Sequence, residues 1–154
     1  MKALRFASSI FLLSLLAYIV TGCATGTRFS PLAPRNDEAL VYIYRPKQYQ
    51  LLAGLYENSS AHIITINGHL RFRLWNGGYS AFFLPEGTNT FGSRPEDPYS
   101  WPDALGYTRK ELLSTNFQAG MTYFLRFRLG FGPQLKIMES AAGEAEIKKC
   151  LLSE

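Results

Sequence analysis

The sequence is poor in the residues that carry most enzyme chemistry. Its 154 residues include only two cysteines and two histidines, and it contains no C-x-x-C, H-E-x-x-H or G-x-S-x-G motif. It therefore lacks the common signatures of dithiol redox, zinc-protease and serine-hydrolase sites. A predicted hairpin separates His62 and His69 by about 13 Å, too far for one metal ion. We expect surface or edge histidines, no metal site and no cofactor.

The chain also lacks a large excess of either basic or acidic residues. The net charge of +4 at neutral pH includes Lys2 and Arg5, so a chain without these two residues carries +2. Nucleic-acid binding requires a concentrated basic surface. We therefore predict that nucleic acid is not a partner.

The long apolar run is confined to the start of the chain. Residues 6–20 are apolar apart from three serines, and they follow the basic residues Lys2 and Arg5. The run is shorter than the roughly 20 residues that a membrane-spanning helix needs, and small residues follow it. This pattern is typical of a cleaved secretory signal, which we place at residues 1–22.

The end of this segment, Val20-Thr21-Gly22-Cys23, resembles the lipobox of bacterial lipoproteins. The resemblance implies a covalent acyl lipid on Cys23 and membrane lipid as a partner, since two or more acyl chains give stable attachment. In Gram-negative lipoproteins the next residue influences sorting, and Ala24 is not the aspartate associated with inner-membrane retention. The implied location is the periplasmic face of the outer membrane. The alternative is an ordinary signal with Cys23 free or disulfide-bonded.

Beyond the leader, composition divides the chain into a tether and one domain. Residues 23–37 have few periodic apolar side chains and contain one glycine and two prolines, which is typical of a flexible tether. From residue 38 to 154, short runs rich in β-branched and aromatic residues alternate with turn signals. The final segment has helical spacing, with Cys150 on an apolar stripe that favours a packed thiol over an intermolecular bridge. We predict a mainly β protein, a single antiparallel β-sandwich of about seven or eight strands with a short C-terminal helix.

Two Asn-Gly dipeptides predict successive hairpins. Asn67-Gly68 suits a two-residue type I′ turn that places Ile64 opposite Arg71, and Asn76-Gly77 is expected to do the same for the next pair of strands. Because alternate side chains share a face, the two turns predict a common core face. Its members are Ile63, Thr65, Leu70, Phe72, Leu74, Tyr79, Ala81 and Phe83.

The tetrapeptide RFRL occurs twice, at residues 71–74 and 126–129. Strand alternation directs the arginines of each copy away from the core. If the two strands are neighbours, the four side chains form a patch for an anionic ligand such as lipid phosphate, lipopolysaccharide or an acidic partner. The alternative is a solvated sheet face. A third predicted hairpin, at Ala119-Gly120, sets Glu111 opposite one of these arginines. The four candidates are Arg71, Arg73, Arg126 and Arg128.

The segment RPEDPYSWPDALGY, residues 94–107, combines prolines, carboxylates and aromatic side chains. Rigid aromatic loops with carboxylates suit the binding of sugars or peptide segments. The alternatives are that the aromatic rings pack on their own sheet, or that Glu96 and its neighbouring carboxylates serve a hydrolase, which requires convergent groups. The candidate binding residues are Asp97, Tyr99, Trp101 and Asp103.

The order of these features resembles a bacterial lipoprotein family, domain of unknown function 2846. The resemblance covers most of residues 39–152 and rests on ALVYIYRP, ITINGHLRFRLWNGGYSAFFLPEGTNTF, AGMTYFLRF and the late Cys150. Gly78-Tyr79 and Pro85-Glu86-Gly87 are also similar to PEGA-type domains, with Thr88 in place of that motif's alanine. The family implies a β-sandwich in the cell envelope and supplies no catalytic residue.

We therefore expect a lipid-anchored, non-enzymatic binding or assembly module whose partner is another envelope protein or a glycan. The alternatives are an envelope hydrolase, or a carbohydrate- or lipid-binding enzyme accessory, that uses residues 94–107. A purely structural role without a discrete ligand is a third possibility.

Overall fold

The computed structural model describes residues 24–48, 61–96, 110–130 and 132–153. Within these ranges the chain forms nine strands and one helix. The strands are β1 (Glu38–Tyr44), β2 (His62–Ile66), β3 (His69–Leu74), β4 (Gly78–Pro85), β5 (Gly87–Pro95), β6 (Lys110–Phe117), β7 (Thr122–Leu129), β8 (Pro133–Met138) and β9 (Leu151–Leu152), and helix α1 is Ser140–Ile147. In the described part of the chain, no helix is both long and apolar enough to span a membrane.

The strands form two sheets that pack face to face as a β-sandwich. The five-stranded sheet has the order β8-β7-β1-β4-β9 and the four-stranded sheet the order β3-β2-β5-β6. This architecture and the C-terminal helix confirm the predicted fold class. The sandwich is not wholly antiparallel, because β1 pairs with β7, and β4 with β9, in parallel. These partners do not come from tight hairpins, which would impose the antiparallel direction.

Strand β1 lies at the centre of the five-stranded sheet and is buried on both faces. Its continuous apolar run suits that position, because a strand covered on both sides has no solvent face to make polar. Val41 and Ile43 face the four-stranded sheet, whereas Leu40 and Tyr42 face the opposite side. The inter-sheet core also contains Ile64, Ile66, Leu74, Leu84, Phe91, Phe117, Leu125, Phe127 and Leu129.

The first predicted turn is confirmed, but the strand register predicted beyond Thr65 is not. Asn67-Gly68 has φ angles of 52° and 78°, as a type I′ turn requires. A bulge beside Ile64 then sets that residue opposite Phe72 instead of Arg71. The extra residue in β3 exchanges the two faces of the strand. Leu70, predicted to be in the core, is therefore 58% exposed.

The second predicted hairpin is wrong, because β3 and β4 belong to different sheets. A type I′ turn needs positive φ at both central positions. Asn76 does not meet this requirement, because Asn67 is the only described non-glycine residue with a positive φ. Asn76 instead uses its side chain to bind residue Gln48. The chain crosses between the sheets at this point.

The single core face predicted from the two turns is therefore wrong as well. Ile64 and Ile66 fill the inter-sheet core in place of Ile63 and Thr65. Tyr79 belongs to a second cluster on the outer face of the five-stranded sheet, with Ala81 and Phe83 packed against it. Leu74 and the partly buried Phe72 do contact the inter-sheet core.

The third predicted hairpin is wrong for the same reason, since β6 and β7 also lie in different sheets. Gly120 N donates to Glu38 O at 3.0 Å and Leu40 N donates to Met121 O at 2.9 Å, which joins β7 to β1. Glu111 therefore pairs with Gly92 instead of lying opposite an arginine.

Several residues between 24 and 32 contact the sandwich, although the composition of this segment predicts a flexible tether. Leu152 N donates to Thr27 O at 2.7 Å, and the ring of Phe29 meets Tyr42 and Tyr79 edge-on at centroid distances of 5.2 and 5.5 Å. Leu32 N donates to the Tyr42 hydroxyl at 2.7 Å. One aromatic side chain and a few backbone bonds thus hold a segment whose composition is typical of a linker.

Helix α1 covers the second cluster and ends earlier than the sequence pattern predicts. It stops at Ile147, so Cys150 lies beyond the helix and residues 151–152 form β9. Gly143 allows close packing, because a Cβ there would overlap the side chain of Phe124. The exposed side chains of Glu144 and Lys148, four residues apart, form an ion pair at 2.7 Å.

Candidate functional site

Ala24 lies at one end of the sandwich, where β1 stops and β4 starts. We call this region the Ala24 end and define it as Ala24 with residues 45–48, 75–78 and 151–153. Its strands are closed by backbone bonds from Arg45 N to Gly78 O and from Ser153 N to Tyr79 O, both 2.8 Å. The opposite end, the far end, consists of Glu38 with residues 85–87 and 118–120.

Asn76 connects three parts of the Ala24 end. Its backbone oxygen accepts from Ala24 N at 3.1 Å, while its side-chain amide accepts from Gln48 N and donates to Gln48 O, both at 3.0 Å. Asn76 is only 5% exposed, so these bonds replace water for the buried amide. The amide thereby fixes the chain after β1 beside Ala24.

Gly78 makes this junction tight. A Cβ at this position would overlap Ser153 Oγ and would lie 3.1 Å from Ala24 Cβ. Ala24 itself is only 6% exposed. The sequence signal for this site is the Asn-Gly-Gly run at residues 76–78, which we read as a hairpin because an Asn-Gly dipeptide is a strong turn signal.

Exposed cations and an aromatic side chain surround this junction. Lys47 is exposed, and its Cβ and Cγ lie 3.7 and 3.8 Å from the position that a Cβ on Gly77 would take. Trp75 is half-buried, with its backbone nitrogen donating to Ser153 Oγ at 3.3 Å. Arg28 and Lys149 are exposed close to β9.

Two of the described acidic side chains near this end are held in ion pairs. Glu96 Oε1 is 2.6 Å from Arg73 Nε, and Glu146 Oε1 is 2.9 Å from an Arg126 guanidinium nitrogen. By contrast, Glu86 is an exposed carboxylate of the far end.

A buried polar cluster lies beneath α1. Tyr44 is fully buried, and its hydroxyl donates to Glu146 Oε2 at 2.9 Å, while Arg126 donates to the other carboxylate oxygen at 2.9 Å. Burial, followed by the neighbouring carboxylate, raises the pKa of Tyr44 and keeps the phenol protonated as a donor. The cluster joins β1, β7 and α1, which is a structural role.

Cys150 is a packed thiol, as the sequence predicts. It is 1% exposed, with Sγ 3.8 Å from Arg45 O. Burial, reinforced by Glu146, raises its pKa to about 12. Because the thiolate is the reactive species, this side chain is chemically inert at neutral pH.

The two histidines differ, and the expectation that both are superficial is wrong for one of them. His62 is 5% exposed, with its ring centroid 5.1 Å from that of Phe127. Burial, with a smaller contribution from the charge of Arg45, lowers its pKa to about 3, so the ring is neutral. His69 is exposed beside the first turn, as expected. Within the described ranges, no group of three potential ligands could hold a metal ion.

The four arginines of the RFRL repeats do not form one patch. Arg71 and Arg73 lie on β3 at the edge of the four-stranded sheet, whereas Arg126 and Arg128 lie on β7 in the other sheet. The predicted patch required neighbouring strands, and β3 and β7 belong to different sheets. Arg71 is the extra residue of the β-bulge, and Arg128 is exposed.

The remaining candidates fall outside the described residues. These are Cys23, Asp97, Tyr99, Trp101 and Asp103. Residues 49–60 and 97–109 are flanked by the described residues Gln48, Ala61 and Glu96. These three residues lie toward the Ala24 end, and Glu96 N donates to Ala61 O at 3.1 Å.

The outer face of the four-stranded sheet is the other candidate surface. A shallow cleft of about 260 Å³ runs over it and is lined by side chains that include Thr65, Leu70, Thr90 and Glu111. Hydroxyl groups, one carboxylate and an exposed leucine suit contact with a polar partner better than acid–base chemistry.

In comparisons with known proteins, no protein-family model matches the chain, and no curated protein matches it. The resemblance to domain of unknown function 2846 therefore rests on the sequence motifs alone.

Proposed function

We propose that the protein is a lipid-anchored component of the cell envelope, held by acyl lipid on Cys23 at the periplasmic face of the outer membrane. Its β-sandwich is a non-enzymatic binding or assembly module. The observation that carries the proposal is the basic and apolar leader that ends in Val20-Thr21-Gly22-Cys23. Every described strand and helix follows this cysteine, so cleavage before it leaves those elements intact.

The binding role is supported by the chemistry of the described surface. Three titratable side chains of the interior, Tyr44, His62 and Cys150, are held neutral by burial. The cleft over the four-stranded sheet offers polar contacts to another envelope protein or a glycan. Of the carboxylates that a hydrolase built on residues 94–107 would use, Glu96 is the one that the structure describes, and it is paired with Arg73.

The anchor is tested by Cys23→Ser. We expect the variant to move from the membrane fraction to the soluble periplasmic fraction, and the N-terminal peptide of the wild type to carry acyl mass. Cys150→Ser is the matched control, because it changes the only other cysteine and should leave fractionation unchanged. Membrane retention of Cys23→Ser, without acyl mass on the wild-type peptide, would contradict the proposal. Density separation of the two membranes tests the outer-membrane location.

The binding surface is tested by cross-linking in cells. A photoreactive residue at Leu70, 58% exposed on the cleft, should give a discrete adduct with one envelope protein or with glycan. Leu32 is the control, because it is 47% exposed on the opposite side of the molecule. Equal adducts from both positions would argue against a specific surface on the four-stranded sheet.

A further inference from the structure

The distance between a lipid on Cys23 and the folded domain is set by a single peptide bond. Consecutive Cα atoms are about 3.8 Å apart, which bounds the reach of a lipid-bearing Cys23 from Ala24. Ala24 is 6% exposed and bonded through its nitrogen to Asn76 O. A lipid-anchored form therefore has no flexible linker between the acylated cysteine and the Ala24 end.

The segment that follows Ala24 is also held against the domain and does not act as a flexible linker. Thr27 is bonded to β9 through Leu152, and Phe29 is packed between the rings of Tyr42 and Tyr79. From Ala24 the chain passes along the outer face of the five-stranded sheet to β1, which starts at the far end. The domain thus has a fixed direction relative to its own N-terminus.

The surface of the Ala24 end suits a layer of lipid headgroups. Arg28, Lys47 and Lys149 are exposed cations, and Trp75 is half-buried beside them. Cations are attracted to anionic headgroups within about 8–10 Å at physiological salt, and tryptophan favours the membrane interface. Exposed Glu86 is at the far end, where the negative field of the anionic headgroups would repel it less.

We propose that the Ala24 end rests on the headgroup layer of the membrane that holds the lipid on Cys23, with the far end directed away from it. This inference rests on the proposed lipid anchor. The strands run about 20 Å between the two ends, judged from the seven residues of β1. In this orientation the four-stranded sheet and its cleft do not face the membrane, so an envelope partner can reach them.

The orientation is tested on the full acylated protein in vesicles of phosphatidylethanolamine and phosphatidylglycerol. A spin label is attached through Lys47→Cys at the Ala24 end or through Glu86→Cys at the far end, and nickel is chelated on lipid headgroups. We expect nickel to enhance relaxation at position 47 several-fold more than at position 86. Native Cys150 is buried and should not react, which mass analysis of the labelled chain verifies.

Two further measurements separate this inference from the lipid anchor. Acyl mass on the Cys23 peptide and flotation with vesicles test the anchor; if both are absent, anchor and orientation fail together. If both are present and nickel acts equally at positions 47 and 86, the anchor stands and the orientation is overturned. A flexible Gly-Ser spacer between Cys23 and Ala24 should abolish the difference without reducing flotation; an undiminished difference would overturn the argument from chain reach.

Discussion

At the scale of single residues, the buried polar groups show how the two sheets tolerate titratable side chains. Tyr44 and Glu146 satisfy each other across β1 and α1, and Asn76 satisfies the backbone of Gln48. His62 lies in the core as a neutral ring. Alternation alone cannot identify such residues, because a buried histidine or asparagine occupies a strand position that a pattern marks as polar.

The buried neutral state of His62 predicts an acid-sensitive fold. As pH falls below about 6.5, the unfolded chain protonates this ring while the folded chain does not, since its folded pKa is about 3. The free energy of unfolding should therefore decrease toward acid, by up to about 1.4 kcal/mol per pH unit from this residue, and should not depend on it above that window.

Urea unfolding of the Cys23→Ser protein between pH 7 and about 5 measures this slope, before most carboxylates titrate. His62→Gln should flatten it, whereas His69→Gln, at an exposed position, should not. Equal slopes in the wild type and in His62→Gln would show that His62 does not cause the acid sensitivity.

At the scale of elements, α1 illustrates how packing decides a position against local propensity. Glycine is about 1 kcal/mol worse than alanine within a helix. Gly143 is nevertheless buried on Phe124, where a Cβ has no room. The helix therefore approaches β7 more closely than an alanine would allow.

This close approach predicts that Gly143→Ala is destabilising in spite of its better helix propensity. We expect the free energy of unfolding to fall by about 1–3 kcal/mol, since the added methyl must displace the ring of Phe124 or the helix. The control Ala145→Gly, at an exposed helix position, should cost about 1 kcal/mol through propensity alone. A stability gain in Gly143→Ala would contradict the close packing seen here.

At the scale of the whole molecule, the segment before β1 is part of the domain. Phe29 extends the aromatic cluster of Tyr42 and Tyr79, and Arg35 places its guanidinium carbon 3.9 Å from the centre of the Phe83 ring. A lipid on Cys23 would therefore attach to the folded unit itself.

The docked segment predicts that Phe29→Ala lowers the free energy of unfolding by about 1–2 kcal/mol, through lost aromatic contacts and partial burial. Amide hydrogen exchange of residues 24–32 should accelerate in the same variant. Leu32→Ala is the control, because Leu32 is 47% exposed and should cost little. Rapid exchange of these amides in the wild type would indicate a free tether and would contradict the docking.

The sequence by itself determined the fold class, the strand segments and the turn at Asn67-Gly68. These depend on local properties: β-branched and aromatic runs, alternation, and the positive φ that Asn-Gly favours. The alternation of β7 was also readable, because Leu125, Phe127 and Leu129 occupy the core as the pattern predicts.

Only the tertiary structure decided which strands pair and which residues meet. Asn-Gly at residues 76–77 has the local signature of a hairpin, yet Asn76 is used in bonds to Gln48 and the chain crosses to the other sheet. The assignment of β3 and β7 to different sheets separates the two RFRL copies, and the crossing at residues 75–77 brings Ala24, Asn76 and Ser153 together at one end. Contacts between residues distant in sequence depend on how the two sheets share one core, and local propensity carries no record of them.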